Sequence, residues 1–340
     1  MIKEAIGSLV SGHSLTMEEA ASVMEEIMSG EVSPAQFGAF VTALRLKEET
    51  VDEITGFART MRAKAIRVMT ADPVIDVVGT GGDNSNTFNI STAAAFVAAG
   101  TGLKIAKHGN RAMSSRCGSA DVLEALGVRI DLSAEQVQRC LEEVGIGFMF
   151  APVFHPAMKY AAAPRREIGI PTVFNILGPL TNPAGVKAQV LGVADSSLVE
   201  KLALVLQSLG SHHVLVVHGK DGLDEITITG ETQVCELKDD HIQSYSICPE
   251  DFGLPRASLD SLRGGTASEN AILLRSILGG APGPQRDAVV MNAAAVLLVG
   301  DRVKTLQQGV ALAKEAIDSG RALKKLEQLI EFSQGITQEH

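Results

Sequence analysis

Three times along this chain a short apolar run breaks off into a cluster of glycines, hydroxyls and amides. Val74-Ile75-Asp76-Val77-Val78 leads into GTGGDNSNTFNIST (residues 79–92), whose Ser91 and Thr92 open the helix-like run AAAFVAA. Leu103-Lys104-Ile105-Ala106 leads into KHGNRAMSSRCGSAD (107–121), and a strand-like stretch over 213–218 leads into HGKDGLDEIT (218–227). Further strands are predicted over 147–150 and 188–193, with helices between them, for example over 133–144 and 196–209. β-Branched runs alternating with helical segments restrict the chain to an α/β fold whose sheet has substantial parallel pairing. In open sheets of that kind ligands bind outside the carboxyl ends of the strands, which is where these clusters fall.

Residues 1 to about 70 follow another rule and read as entirely helical. Thr16…Glu19, Ser33-Pro34…Gln36 and Thr50…Glu53 each set a hydroxyl at a helix start with Glu or Gln three residues later, the pattern of a reciprocal cap. Pro34 falls at a first helical position, where its missing N–H costs nothing, and Gly30 falls where a left-handed cap would end the preceding helix. The last forty residues read as a helical ending. With 45% hydrophobic residues among 340, a core of useful size is available. The net charge of −10, without a block of Lys or Arg, argues against a nucleic-acid partner. No run of 18 apolar residues is present, so no membrane span is expected, and the broken N-terminus lacks a signal-peptide core. Cys117, Cys140, Cys235 and Cys248 are widely spaced and form no CxxC pair, as expected of reduced thiols in the cytoplasm.

The clusters differ in the chemistry they offer. In 79–92, glycines let the backbone approach a phosphate, and Asn89, Ser91 and Thr92 add donors at a helix N-terminus. It is neither a dinucleotide fingerprint nor a Walker A loop, and a plain glycine-rich turn is the simpler alternative. In 107–121, Lys107, His108, Asn110, Arg111, Ser114, Ser115, Arg116 and Ser119 crowd donors around two glycines, as an anion cradle or as a solvated loop. His108 taken alone reads as a packed or orienting histidine. Between the clusters, GPLTNPAG (178–185) is a rigid, hinge-like connection, and Arg165 or Arg166 is a candidate carboxylate partner. Asp224 and Glu225, adjacent on a loop, form a natural Mg²⁺ site, although an acidic pair in a loop is more often simply solvated.

In their order and spacing, GTGGDNSNTFNIST, KHGNRAMSSRCGSADVLEALG, HPAMKYAAAPRREIG, FNILGPLTNP and GLDEIT resemble the anthranilate phosphoribosyltransferases, and the resemblance runs from the N-terminal helices to the C-terminus. It implies the fold shared with pyrimidine nucleoside phosphorylases. A small helical domain (1–70, joined by a helical segment around 165–187) is hinged to a larger α/β domain (71–164 and 188–340) with a central, largely parallel sheet flanked by helices. It also implies a homodimer through the helical domains, and a glutaminase subunit of anthranilate synthase is a compatible further partner. The implied reaction moves the phosphoribosyl group of phosphoribosyl pyrophosphate (PRPP) to the amine of anthranilate, in tryptophan biosynthesis, with Mg²⁺ as cofactor.

Carried over by position, PRPP would be contacted by Gly79, Gly82, Asp83, Thr87, Asn89, Ile90, Ser91, Thr92, Lys107 and Ser119. The intervening loop, His108, Gly109, Asn110, Arg111, Ala112, Met113, Ser114 and Ser115, would join them. Ser91, Asp224 and Glu225 would hold Mg²⁺. Gly79, Asn110 and Arg165, with His155 on the entry path, would contact anthranilate. None of these is expected to act as a strong acid or base; positioning is the work assigned to Gly79, Asn110 and Arg165. Pro171 stands where the family commonly has Arg, which removes any ion pair made there. A pyrimidine nucleoside phosphorylase would share the architecture, but GTGGDN and GPLTNP fit the transferase better. A non-catalytic nucleic-acid-binding relative would be expected to carry a basic surface and to lack the acidic pair.

Overall fold

The computed structural model describes residues 1–112 and 116–336. Met113, Ser114 and Ser115, among the residues expected at PRPP, lie outside the described residues. The chain opens with four helices, α1 (Ile2–Val10), α2 (Met17–Ser29), α3 (Pro34–Lys47) and α4 (Val51–Lys64). Thr16, Ser33 and Thr50 each accept the backbone N–H three residues on, and Glu19, Gln36 and Glu53 return a bond to the cap backbone. Gly30 ends α2 with φ 78°, in the left-handed region. Glu53 does more than cap. Fully buried, it also accepts the Leu15 N–H at 2.9 Å and pairs with Lys47 at 2.9 Å. One carboxylate thereby ties the α1–α2 connection and the end of α3 to the start of α4.

Seven strands form a single sheet: β1 (Ile75–Gly79), β2 (Ile105–Gly109), β3 (Ile146–Phe150), β4 (Ala188–Gly192), β5 (His213–Gly219), β6 (Thr232–Lys238) and β7 (His241–Ile247). Their order is β3-β2-β1-β4-β5-β6-β7; the first five run parallel and the last two antiparallel. Both faces are covered. In β5, Val214 and Val216 join one apolar cluster while Leu215 and Val217 join another, the period-two signature of a buried strand. The first cluster runs through the helix Leu198–Ser208 into the core of α2, α3 and α4. The second holds α5 (Ile90–Gly100) and the helices Pro284–Val299, Leu306–Asp318 and Arg321–Gly335.

Three features depart from the sequence reading. The hairpin β6–β7 is new. Its outer strand is largely polar and exposed, and its turn, Asp239-Asp240, takes φ of 48° and 65°, the geometry that matches strand twist. The segment expected to be helical around 165–187 has only the end of the helix Lys159–Ile168, the turn Phe174–Leu177 and the 3₁₀ turn Gly178–Leu180. Pro179 and Pro183 cannot donate to a longer helix. The helix expected over 133–144 is regular for Ala134–Arg139 and widens into a π turn over Cys140–Val144.

The chain lays β1, β2 and β3 outward in one direction and then returns to place β4 on the other side of β1. At that reversal Gly79 and Gly192 are register partners, and the Thr80 N–H donates to the Gly192 carbonyl at 2.9 Å. The crevice between two such diverging connections is where an open sheet receives ligands.

Replacing Glu53 with Ala strands the Lys47 ammonium and two backbone donors together. Glu53→Ala should lower stability by about 3–5 kcal/mol, the usual loss when one partner of a buried pair is removed. Urea unfolding with an unchanged slope would check it; a loss below about 1 kcal/mol would rule out the tie.

Candidate active site

Asp224 and Glu225 sit side by side at the reversal between β1 and β4, and both are half-buried. Asp224 Oδ2 accepts the Gly81 N–H at 2.7 Å, and Glu225 Oε1 accepts the Ser91 N–H at 3.2 Å from the first turn of α5. The two glycines at the strand ends make this approach possible. A Cβ on Gly79 would overlap the Asp224 carboxylate, and one on Gly192 would overlap the Asp224 backbone carbonyl. Gly79 has no positive φ; the left-handed positions are Gly81 (68°) and Gly82 (81°), with Asn84 and Asn86 close behind. Gly79 is therefore a close-approach glycine, not a turn-former.

Burial, then the Glu225 and Asp83 charges, push the Asp224 carboxyl well above its usual range. Burial likewise raises Glu225 to about 7, against the opposing pull of Lys107. Lys107, on β2, is buried and donates to the Val77 carbonyl at 2.6 Å and towards Ser91 Oγ at 3.4 Å. Burial lowers its pKa; Asp76 and Glu225 oppose that by favouring its charge. The donor set around the pair is all oxygen: two carboxylates, the Ser91 hydroxyl and, through its field, Asp83. Among the described residues no group of three His, Cys, Asp or Glu stands ready to cage an ion. Two half-buried carboxylates short of positive charge fit a hard divalent cation that keeps its waters and shares oxygens with a phosphate ligand.

The two glycine-rich loops meet over this pair. Asn89, at the N-cap of α5, does not cap with its side chain; it donates to the Cys117 carbonyl at 3.1 Å and accepts from Asn270 at 3.0 Å. Ser85 bonds Asp83 at 2.6 Å and lies 3.3 Å from Thr87, while Phe88 N–H donates to the Leu262 carbonyl at 3.0 Å. Ser119 Oγ donates to the Asn110 carbonyl at 3.4 Å, packed into the space a side chain at Gly109 would need. Ile90 is buried at the head of α5. Two expected phosphate donors point elsewhere. Thr92 Oγ1 is buried and unpartnered, and the Arg111 guanidinium pairs with Asp121 at 2.9 Å and Glu124 at 2.8 Å. Among the described residues of this stretch, the backbone of 110–112, with Ala112 N–H already on Asp121, stands beside Lys107 and Ser119.

His108 and His155 pack together, ring centroids 5.0 Å apart, both buried. Burial pushes them down to about 3 and about 4, so both rings are neutral at pH 7. Arg165 lies on the helix Lys159–Ile168, its guanidinium 5.4 Å from the Phe174 ring centre. It is half-buried and has no carboxylate partner among the described residues. The loops, the acidic pair, Ser91 and Lys107 thus form one constellation, with Arg165 on a separate element.

Four residues of the site escaped the sequence reading. Gly192 ends β4 beside Asp224. Asp76, fully buried in β1 and raised to about 6 chiefly by burial, accepts Asn182 Nδ2 at 2.7 Å and the His108 N–H at 3.3 Å. Asn182, in the Pro-rich connection, also donates to the Ala106 carbonyl at 2.8 Å, stapling that connection to β1 and β2. Asn270 orients Asn89. A lone acid inside the apolar run 74–78 was the one visible signal.

Comparison with known proteins agrees with this geometry. Residues 71–323 match the glycosyl transferase family a/b domain, and residues 3–65 match the helical bundle domain of the same family. Anthranilate phosphoribosyltransferase of Dehalococcoides mccartyi is 60% identical over 338 residues, 99% of each chain. The crystal structure of anthranilate phosphoribosyltransferase from Thermus thermophilus is 46% identical and superposes with a TM-score of 0.93, covering 97% of this chain and 99% of that one. The enzyme from Saccharomyces cerevisiae in complex with PRPP and Mg is 30% identical, with a TM-score of 0.91 and 98% of each chain covered.

Two outcomes follow from the geometry. Because a raised carboxyl holds its proton more tightly folded than unfolded, the Mg²⁺-free protein should lose stability as pH rises from about 4.5 through about 7 at Glu225. Apparent Mg²⁺ affinity should move the opposite way, strengthening up to about pH 7 and then levelling; a flat calorimetric profile from about pH 5.5 to 8 would contradict it. Gly79→Ala should cost roughly 1–3 kcal/mol through overpacking against Asp224 and remove most activity from the folded fraction. Gly192→Ala, which meets backbone, should cost more stability than Gly79→Ala; the reverse ranking of melting temperatures would refute the close-approach reading.

Proposed function

The chain belongs to the anthranilate phosphoribosyltransferases, and we propose how its own residues carry out that family's reaction. The enzyme transfers the phosphoribosyl group of PRPP to the amine of anthranilate, giving N-(5-phosphoribosyl)anthranilate and pyrophosphate, with Mg²⁺ as cofactor. We assign the step to tryptophan biosynthesis in the cytoplasm; among the described residues no helix is long and apolar enough to cross a membrane. The observation that carries the mechanistic reading is the half-buried Asp224–Glu225 pair, tied to the Gly81 and Ser91 N–H groups where the two glycine-rich loops converge.

The aromatic amine is neutral at pH 7 and attacks C1′ as the C1′–O bond to pyrophosphate breaks. The surplus proton then passes from nitrogen to water. No strong base is needed, and the neutral, buried His108 and His155 do not offer one. Bound Mg²⁺ supplies charge compensation for the departing pyrophosphate. Asp224, Glu225 and Ser91 would hold that ion. The backbone of 79–83, with Asp83, Thr87, Asn89 and the head of α5, would cradle the pyrophosphate and ribose. Lys107, Ser119 and the backbone of 107–112 would receive the remaining phosphate; Lys107 suits this because Asp76 and Glu225 favour its charged form. Preorganised donors of this kind contribute about 3 kcal/mol each when the site excludes water.

Anthranilate adds a carboxylate, and Arg165 is a half-buried cation with no acidic partner among the described residues. Stacked on Phe174 and desolvated, it favours a planar, anionic ligand. Asn110, the Gly79 backbone and His155 would complete the aromatic site. Because Arg165 is carried by the helix Lys159–Ile168 and the glycine loops by the sheet, we infer that the helical domain (1–70 with the segment around 165–187) closes on the α/β domain (71–164 and 188–340), turning about the Asn182 staple. Exposed Val10 (73%) and Leu46 (82%), on the packed pair α1 and α3, favour a homodimer through the helical domains.

Purified protein with PRPP, Mg²⁺ and anthranilate should quench anthranilate fluorescence, and omission of any component should abolish the change. In Arg165→Ala the anthranilate KM should rise roughly thirtyfold or more, since a truncated desolvated charge pair costs about 2–5 kcal/mol. The PRPP KM should stay near wild type; a selective PRPP defect would move Arg165 out of the anthranilate site.

A further inference from the structure

A loop does not by itself hold two half-buried carboxylates in one place. The residue after them, Ile226, is buried, and one side chain engages both of its backbone groups. Ile226 N–H donates to Asn292 Oδ1 at 3.0 Å, and Asn292 Nδ2 donates to the Ile226 carbonyl at 2.9 Å. The other Nδ2 proton goes to the Ala288 carbonyl at 3.0 Å, one turn back on the same helix, so the amide has a single orientation. Asn292 is fully buried in the middle of the helix Pro284–Val299, whose residues from Ala288 to Val299 are otherwise apolar and buried. An amide in such a place is costly unless satisfied, and here its satisfaction depends on the acidic loop. The helix that carries it packs directly on α5, the source of the Ser91 N–H that binds Glu225. On the opposite side Gly79 and Gly192 leave Asp224 no spare volume.

We propose that Asn292 is a positioning residue for the divalent cation. It does not touch the ion. It fixes the backbone at Ile226, so that Asp224 and Glu225 present their carboxylates together between the glycine strand ends and α5. The inference rests on the assignment of Asp224 and Glu225 to Mg²⁺. Partners one shell behind a metal ligand typically change affinity by about ten- to a hundredfold when removed.

The test uses Mn²⁺ in place of Mg²⁺, with free ion followed by electron paramagnetic resonance in the presence of PRPP. In Asn292→Ala, Mn²⁺ binding by the folded protein should weaken by about ten- to a hundredfold. The Mg²⁺ concentration for half-maximal turnover should rise by a similar factor, while the anthranilate KM at saturating Mg²⁺ stays put. A residue that only supported the fold would lower the melting temperature and leave both metal readings at wild type, and that result would overturn the proposal. If Asn292→Ala does not fold, Asn292→Thr, which can keep one of the two bonds to Ile226, is read in the same way. Weakened Mn²⁺ binding supports the proposal and wild-type binding refutes it. Asp224→Asn with Glu225→Gln is measured alongside. Wild-type Mn²⁺ binding there would dismiss the acidic pair itself, whereas its loss there with retention in the Asn292 variants would dismiss Asn292 alone.

Discussion

Two half-buried carboxylates side by side repel each other and lose part of their hydration, so the fold around Asp224 and Glu225 must hold them against their own electrostatics. It does so with fixed, local groups. The N–H of Gly81 and the N–H of Ser91 each bind one oxygen, and the Lys107 ammonium acts on Glu225 through its field. The backbone is pressed against two glycines that admit no side chain. What these groups leave uncompensated is seen in the raised carboxyl pKa values, and it is the unmet charge that a divalent cation satisfies.

Much of the α/β domain can be understood as support for that arrangement. β1 and β4 must end level, and they do, with Gly79 opposite Gly192. Lys107 must stay charged while buried, and Asp76 behind it favours that state. Asp76 in turn is held by Asn182, so the Pro-rich connection over 178–185 ends on the same buried carboxylate that acts on the site's lysine. The loop over the acids is braced from outside by the segment before the helix Ala267–Leu278 and by that helix itself: Phe88 bonds Leu262, Gly264 bonds Asn86, and Asn270 orients Asn89. Catalysis by placement asks for this kind of rigidity, since a donor adds most when it need not reorganise as charge develops.

Local rules were legible wherever neighbours in sequence are also neighbours in space. The three caps at Thr16, Ser33 and Thr50 and the left-handed Gly30 follow from contacts within a few residues, and the strands before the glycine clusters show as short β-branched apolar runs. The hairpin β6–β7 was harder to see, because an exposed edge strand such as HIQSYSI lacks the apolar run that marks a buried one. The prolines around Asn182 signalled a rigid connection, but not that its one amide would find Asp76, 106 residues away in sequence.

The sequence alone determined the α/β class, the helical opening and the identity of the groups available to phosphate, carboxylate and cation, because these depend on composition, period and capping. Tertiary structure decided which of those groups can act. It turned Arg111 towards Asp121 and Glu124, sealed Thr92 inside, left Arg165 without an acid among the described residues, and packed Asp224 against two glycines far back along the chain, Gly192 and Gly79. The physical reason is that burial, field and steric fit belong to pairs of residues that the chain brings together only when the sheet closes, and no window along the sequence contains both members of such a pair.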